Sequence, residues 1–260
     1  MTTQDQAIQF FSDIYGLDGM KENMFRALIS EEQINILLVG PPATSKTLVM
    51  STIQEKCNDV FYYDASNTTS AGLIEELFYN RNAKLIIIDE IDKLKRNDLS
   101  SLLGLLNNGK IVKKLKEIKY DFKIENVKIF ATSNSIVNLS KPVRSRFQEY
   151  YLREYSDDEF IKVVKFCLIK KLPEEICEVI GMMLITIERK DVRAAIGISN
   201  LLKTNDTKED VLRVFENWTN YKMEGYGFII KTFIWYMSHR YYLVETYPKS
   251  SKLSDIDFYY

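Results

Sequence analysis

Residues 34–47 constrain this chain more than any other stretch. Ile34-Asn35-Ile36-Leu37-Leu38-Val39 is an almost continuous apolar run ending at Gly40. A strand buried on both faces of a parallel sheet reads this way, because neither face meets water. Gly40-Pro41-Pro42-Ala43-Thr44-Ser45-Lys46-Thr47 follows, and Thr47 to Lys56 has helical spacing. A strand, a tight turn and a helix start, in that order, make a cradle for phosphate. The turn's N–H groups and the helix N-terminus surround anionic oxygens. Lys46 is placed to reach the β- and γ-phosphates of a nucleoside triphosphate, and the Thr47 hydroxyl to ligate Mg²⁺. Leu48, next along the helix, is counted with the loop. The glycine usual before the lysine is Ser45 here. A small side chain fits there if the position has ordinary helical dihedrals.

The second constraint lies further on. Leu85-Ile86-Ile87-Ile88-Asp89-Glu90 is four apolar residues followed by two acids. A strand of this kind delivers both carboxylates to its C-terminal edge, where ligands bind in open α/β sheets. Asp89 is expected to hold Mg²⁺, directly or through water. Glu90 is expected to polarise the attacking water as general base. Val60 to Tyr63 and Val127 to Thr132 read as further strands. Helical periods occur at 73–79 and 98–106, with two short helices at 5–30. Strands alternating with helices predict a parallel sheet with helices on both faces. From Ser156 the pattern becomes purely helical, with periods at 157–170, 173–187 and 192–203.

Composition removes several alternatives. Hydrophobic residues make up 46% and charged residues 27%, the profile of a globular protein. The net charge of -1 leaves any nucleic-acid contact to a local patch. One histidine, His239, excludes a His-based triad and argues against zinc. Three cysteines without metal-ligand spacing read as reduced thiols. Residues 1–5 carry no signal-peptide pattern, and the apolar stretch 228–237 is short for a bilayer and interrupted by Lys231. The expected location is the cytoplasm, without a membrane.

The Gly40–Thr47 loop and the Asp89-Glu90 pair together resemble the AAA+ ATPase superfamily, and the likeness runs from about Tyr15 to Leu202. It is similar to archaeal-type ATPases related to the Holliday-junction branch-migration motor and to the MCM and MoxR groups. The resemblance implies an α/β P-loop AAA+ sandwich at 1–153, a helical lid at 154–206 and an aromatic-rich helical extension at 207–260. It implies ATP and Mg²⁺ as cofactors and a homo-oligomeric, hexameric ring. Asn134, after Ala131-Thr132-Ser133, matches the polar residue that positions the attacking water. Leu139 to Phe147 resembles the segment whose arginine reaches a neighbouring subunit's γ-phosphate. That role falls to Arg146, with Arg144 as the alternative. Arg193, after Lys190-Asp191-Val192, matches the lid arginine that touches phosphate, although a local pair with Asp191 would read the same. Ile14-Tyr15-Gly16-Leu17 resembles the segment that lies against adenine, through Tyr15 and Gly16.

Residues 107–124 hold six lysines (110, 113, 114, 116, 119 and 123) and two acids, Glu117 and Asp121. The stretch alternates like a hairpin with one solvated face. By resemblance Lys113, Lys114 and Lys116 are candidates for contact with DNA or a partner protein, while a merely solvated face fits the charge equally. The tail, 207–260, lacks the basic bias of a DNA-binding winged helix and is too aromatic to be disordered. Helices are expected at 208–221 and 228–242. Three readings follow: an ATP-driven DNA motor, a MoxR-like protein-remodelling ATPase, and an ATP-switched loader or initiator.

Overall fold

The computed structural model describes residues 2–66, 70–95, 99, 102–115 and 118–219. Lys116, the first part of the helix expected at 98–106, and the helix expected at 228–242 lie outside these residues. The chain divides into two compact units, Met1–Ser156 and Asp157–Tyr260.

The first unit is built on five strands: β1 (Asn35–Val39), β2 (Val60–Asp64), β3 (Leu85–Asp89), β6 (Lys128–Ser133) and β7 (Gln148–Tyr151). They pair in parallel in the order β2-β3-β6-β1-β7. The apolar runs take the centre. β1 and β3 are buried at every position, and β6 at all but its first. The edges are mixed: β2 alternates buried and half-buried residues, and β7 has no buried position. Gln148-Glu149-Tyr150-Tyr151 gave no strand signal in the sequence because an edge strand carries no obligatory apolar run.

Alternate residues of the central strands feed two separate cores, as the period of two requires. Leu37, Val39, Ile86, Ile88, Ile129 and Ala131 face one side, where α4 (Ser70–Tyr79) contributes Leu73, Ile74 and Leu77. Ile36, Leu38, Leu85, Ile87 and Phe130 face the other. There α1 (Thr3–Phe10), α2 (Asp18–Ile29) and α3 (Lys46–Lys56) supply residues such as Met24, Val49, Met50 and Ile53.

Between β3 and β6 come α5 (Leu103–Asn108) and an antiparallel hairpin, β4 (Lys110–Leu115) with β5 (Ile118–Lys123). Gly109 ends α5 with φ 72°, and a Cβ there would meet the Ile124 carbonyl oxygen at 2.0 Å, so only glycine fits. One hairpin face packs inward through Ile111, Tyr120 and Phe122. Phe78 of α4 meets the Tyr120 and Phe122 rings edge-on, with centroids at 5.4 and 5.5 Å. The short helix α6 (Lys141–Arg144) precedes β7.

The second unit contains α7 (Asp157–Leu168), α8 (Glu174–Thr186), α9 (Val192–Asn200) and α10 (Lys208–Thr219). Ile180, Leu184, Ala195 and Ile198 are buried in it, as are Val211 and Phe215 of α10. Among the described residues no helix is long and apolar enough to cross a membrane.

Candidate functional site

Strand order assembles the site. β6 lies between β1 and β3, and all three run the same way, so their C-terminal ends share one edge. The Gly40–Thr47 loop leaves β1 there, Asp89-Glu90 leaves β3, and Asn134 leaves β6. Residues more than 40 positions apart in sequence become neighbours.

The loop is held by close backbone contacts. Gly40 N–H donates to the Ser133 carbonyl at 3.1 Å, and Leu152 N–H to the Val39 carbonyl at 2.7 Å. A Cβ on Gly40 would lie 2.5 Å from the Leu152 carbonyl oxygen, so this position needs glycine for space. Lys46 is buried and its ammonium donates to the Gly40 and Pro41 carbonyls at 2.6 and 2.7 Å. Thr44 is also buried, with its hydroxyl donating to the Pro41 carbonyl at 2.8 Å. Pro42, Thr47 and Leu48 are exposed. The N-cap of α3, Ser45, makes no side-chain capping bond.

Ser45 departs from expectation. It does not have ordinary helical dihedrals: φ is 65° and ψ 8°, the left-handed region. Ala43 has φ 65° as well. A residue with a Cβ meets a carbonyl oxygen in this conformation, at roughly 1–2 kcal/mol. Glycine is usual here for that reason, so the serine is tolerated under strain rather than by fitting a helical position. Its hydroxyl shares a 2.8 Å hydrogen bond with the Tyr155 hydroxyl.

The acids are organised by residues that the sequence did not single out. Asp89 is buried. Tyr62, on β2, donates to its Oδ2 at 2.8 Å, and Thr132, on β6, donates to its Oδ1. The Thr132 oxygen in turn accepts from the Glu90 N–H at 2.9 Å. Burial first, and then the bond to Asp89, raise the Tyr62 phenol well above its usual range, so it stays a donor at neutral pH. Glu90 turns out of β3 at φ 53°, and its Oε1 accepts from Asn134 Nδ2 at 3.1 Å. The Asn134 N–H donates to Asp92 Oδ1 at 3.2 Å, which fixes the turn after β6. The alternation of β2 puts Tyr62 on its half-buried face, between buried Phe61 and Tyr63. No sequence signal pairs it with Asp89.

The donor set suits a hard cation. The Asp89 carboxylate and the Thr47 hydroxyl offer oxygen alone, the chemistry Mg²⁺ prefers. Among the described residues no group of three or more His, Cys, Asp or Glu is arranged to hold a metal ion.

The arginines separate. Arg144 forms a bidentate pair with Glu149 at 2.7 and 2.8 Å and also donates to the Tyr151 hydroxyl at 3.0 Å. The guanidinium hydrogen bonds hold the Glu149 carboxyl below its usual range, while the bond to Glu149 pushes the Tyr151 phenol up. Arg146 is placed differently. Its carbonyl accepts from Asn35 Nδ2 at 3.1 Å, and Asn35 opens β1, whereas the Gly40–Thr47 loop follows its end. Five residues of strand separate the two, roughly 16 Å. Its guanidinium donates to the Pro142 carbonyl and lines a cavity of about 440 Å³ with Leu103, Asn107, Asn108, Lys110 and Val112. Arg146 Nε is buried without a hydrogen-bond partner among the described residues.

Residues 36–155 match the AAA family, the ATPase family associated with various cellular activities. These residues form an AAA-family domain. Lon protease 2 of Borreliella burgdorferi is 30% identical over 193 residues, covering 62% of this chain and 24% of that protein. A proteasome-activating nucleotidase of Saccharolobus islandicus is 28% identical over 144 residues, covering 51% of this chain and 37% of the relative. The chain thus spans about a quarter of the Lon relative's length. A solved RuvB mutant from Thermotoga maritima shares the fold, with a TM-score of 0.59 at 18% identity over 79% of this chain and 71% of that one.

Two further expected residues, Tyr15 and Arg193, each have their own local setting. Tyr15 is partly exposed and is followed by two left-handed residues, Gly16 (φ 63°) and Leu17 (φ 60°). Sequence reading missed buried Lys21, whose ammonium donates to the Ile14 carbonyl and pins this bend. Arg193 stands in the second unit, exposed, with its guanidinium 3.3 Å from Asp191. Asp191 also caps α9 by accepting from the Arg193 N–H at 2.9 Å.

The hairpin lysines are sorted by the pleat. Lys113 and Lys114 occupy opposite faces, Lys113 beside buried Tyr120 and Lys114 opposite Lys119. The exposed face pairs Lys110 with Lys123 and Lys114 with Lys119, with Val112 and Asp121 between.

Proposed function

We propose that the chain hydrolyses ATP with Mg²⁺ at the edge shared by β1, β3 and β6, in a ring where each site is completed by a neighbour. One observation carries this reading: Asn134 Nδ2 lies 3.1 Å from Glu90 Oε1, on the edge that also carries the phosphate loop and Asp89. Loop and α3 N–H groups bind phosphate oxygens, and Lys46 turns from its loop carbonyls to the β/γ-phosphates. Thr47 and Asp89 would hold Mg²⁺, which neutralises charge on the β- and γ-oxygens when bound. Tyr62 and Thr132 fix the Asp89 carboxylate. Glu90 accepts a proton from the attacking water, and Asn134 aims both. Tyr15 and Gly16 lie against the base, and Arg193 is the lid's contact to phosphate.

Arg146 supplies the neighbour's positive charge. Its position at the far end of β1 favours action on another subunit's γ-phosphate, where a fixed guanidinium stabilises transition-state charge. Arg144 is committed to Glu149 within its own chain and fits the role less well. A hexamer is the expected ring.

The exposed hairpin face supports DNA as the substrate that the ring moves. Its lysines offer cations to phosphates, with Lys119 and Lys123 also paired to Asp121 and Glu125 at 3.4 and 2.8 Å. The similarity to Lon proteases and to a proteasome-activating nucleotidase supports the second reading, a protein-remodelling ATPase. Steady-state ATP hydrolysis measured with no DNA, duplex, single strand and four-way junction separates the two. Stimulation that fades steeply with salt supports the DNA motor; indifference to every DNA at low salt removes it.

A further inference from the structure

The phosphate loop keeps a side chain where its backbone disfavours one, and that side chain is engaged. Ser45 is left-handed at φ 65°, and its hydroxyl shares a 2.8 Å hydrogen bond with Tyr155, 110 residues away. Tyr155 stands two residues before Asp157, where the first helix of the second unit begins. The same segment touches the other end of the loop, since the Leu152 backbone packs against Gly40 and donates to the Val39 carbonyl at 2.7 Å. Residues 152–155 therefore grip the loop at both ends, once through backbone and once through a pair of hydroxyls.

We propose that Ser45 and Tyr155 form a latch that holds the phosphate loop in its binding conformation and ties it to the segment leading into the second unit. Tyr155 is a positioning residue for the nucleotide's phosphates. This rests on reading Gly40–Thr47 as the phosphate loop. The physical reason is local. The Cβ of Ser45 pushes the backbone away from the left-handed region. The Tyr155 hydrogen bond opposes that push and keeps the neighbouring N–H groups and Lys46 aimed at one point. Without it the strain is unopposed, the loop populates other conformers, and binding must select the competent one. Glycine has no Cβ and would need no latch.

The test is a mutant cycle on the full chain with two readouts: affinity for a fluorescent ATP analogue, and amide exchange of peptides covering residues 40–48 without nucleotide. Ser45→Ala keeps the Cβ and removes the bond, and Tyr155→Phe removes the bond from the other side. Each should weaken affinity about fivefold, the scale of one neutral hydrogen bond, and quicken exchange. The double variant should be no worse than either single one. Ser45→Gly should recover what Ser45→Ala loses, and adding Tyr155→Phe to it should change nothing further. Additive losses, an equal effect of Tyr155→Phe in the serine and glycine backgrounds, or unchanged loop exchange would overturn the latch. Lys46→Ala keeps the two readings distinct. A parent that binds ATP only with Lys46 intact supports the phosphate loop. A parent that binds no nucleotide removes that reading, and the exchange cycle still decides whether the latch exists.

Discussion

Replacing Glu90 by glutamine isolates the base from everything else at the site. Glutamine is almost isosteric and keeps a side-chain oxygen. The Asn134 Nδ2 donor, 3.1 Å from Glu90 Oε1, therefore keeps an acceptor. The backbone is held independently, because the Glu90 N–H bonds Thr132 Oγ at 2.9 Å. The left-handed turn at Glu90 is kept by a residue of similar shape. Lys46, Thr47 and Asp89 are untouched, so ATP affinity should stay within a factor of about two. Only the basicity is lost. General-base catalysis contributes about 10²–10⁴-fold, so turnover should fall at least ~100-fold, or about 2.7 kcal/mol of barrier. Single-turnover hydrolysis beside equilibrium ATP binding measures both quantities on one preparation. Normal binding with near-normal turnover would show that Glu90 is not the base. Lost binding with a melting temperature equal to the parent's would show that the acids serve the nucleotide's ground state instead.

Arg146→Ala should bind ATP yet hydrolyse it poorly. Mixed with Lys46→Ala it should regain activity, since some interfaces then combine an intact loop with an intact arginine; stable mixed oligomers that recover nothing would place Arg146 in its own chain's site or in none. The Arg144–Glu149 pair predicts a stability change in acid. The folded Glu149 carboxyl lies below its ordinary 4.5, so its contribution is present above that value and is lost as pH falls through the lowered one. In thermal melts across pH, Glu149→Gln should therefore lose stability near neutrality and differ less from the parent below about 4.5; a constant difference at every pH would refute this. Alanine at Lys114 and Lys119 together should flatten the salt dependence of DNA binding by about two units, one per lost phosphate contact, and an unchanged slope in a parent that binds DNA would move the contact elsewhere.

The central strands were legible because their burial is two-sided. Residues 34–39 and 84–89 have no polar face to display, and such a run fits the middle of a parallel sheet. The loop and the acid pair were legible because phosphate and metal chemistry demand particular residue types directly after those strands. β7 was not legible, since an edge strand of Gln148-Glu149-Tyr150-Tyr151 makes no demand that distinguishes it from a loop.

Sequence alone therefore nominated the residues proposed to bind phosphate, hold a metal and abstract a proton. It did not determine their partners. Tyr62 on Asp89, Thr132 between Asp89 and the Glu90 N–H, and Tyr155 on Ser45 join residues between 27 and 110 positions apart. The conformation of Ser45 was likewise a tertiary matter. Local propensity opposes the left-handed region for serine, and its hydroxyl meets Tyr155 there. The faces of Lys113 and Lys114 followed from where the hairpin pairs, because a shift of one residue in register exchanges them. A hydrogen bond between distant residues depends on which strands lie side by side, and strand order arises only when the whole sheet closes over its two cores.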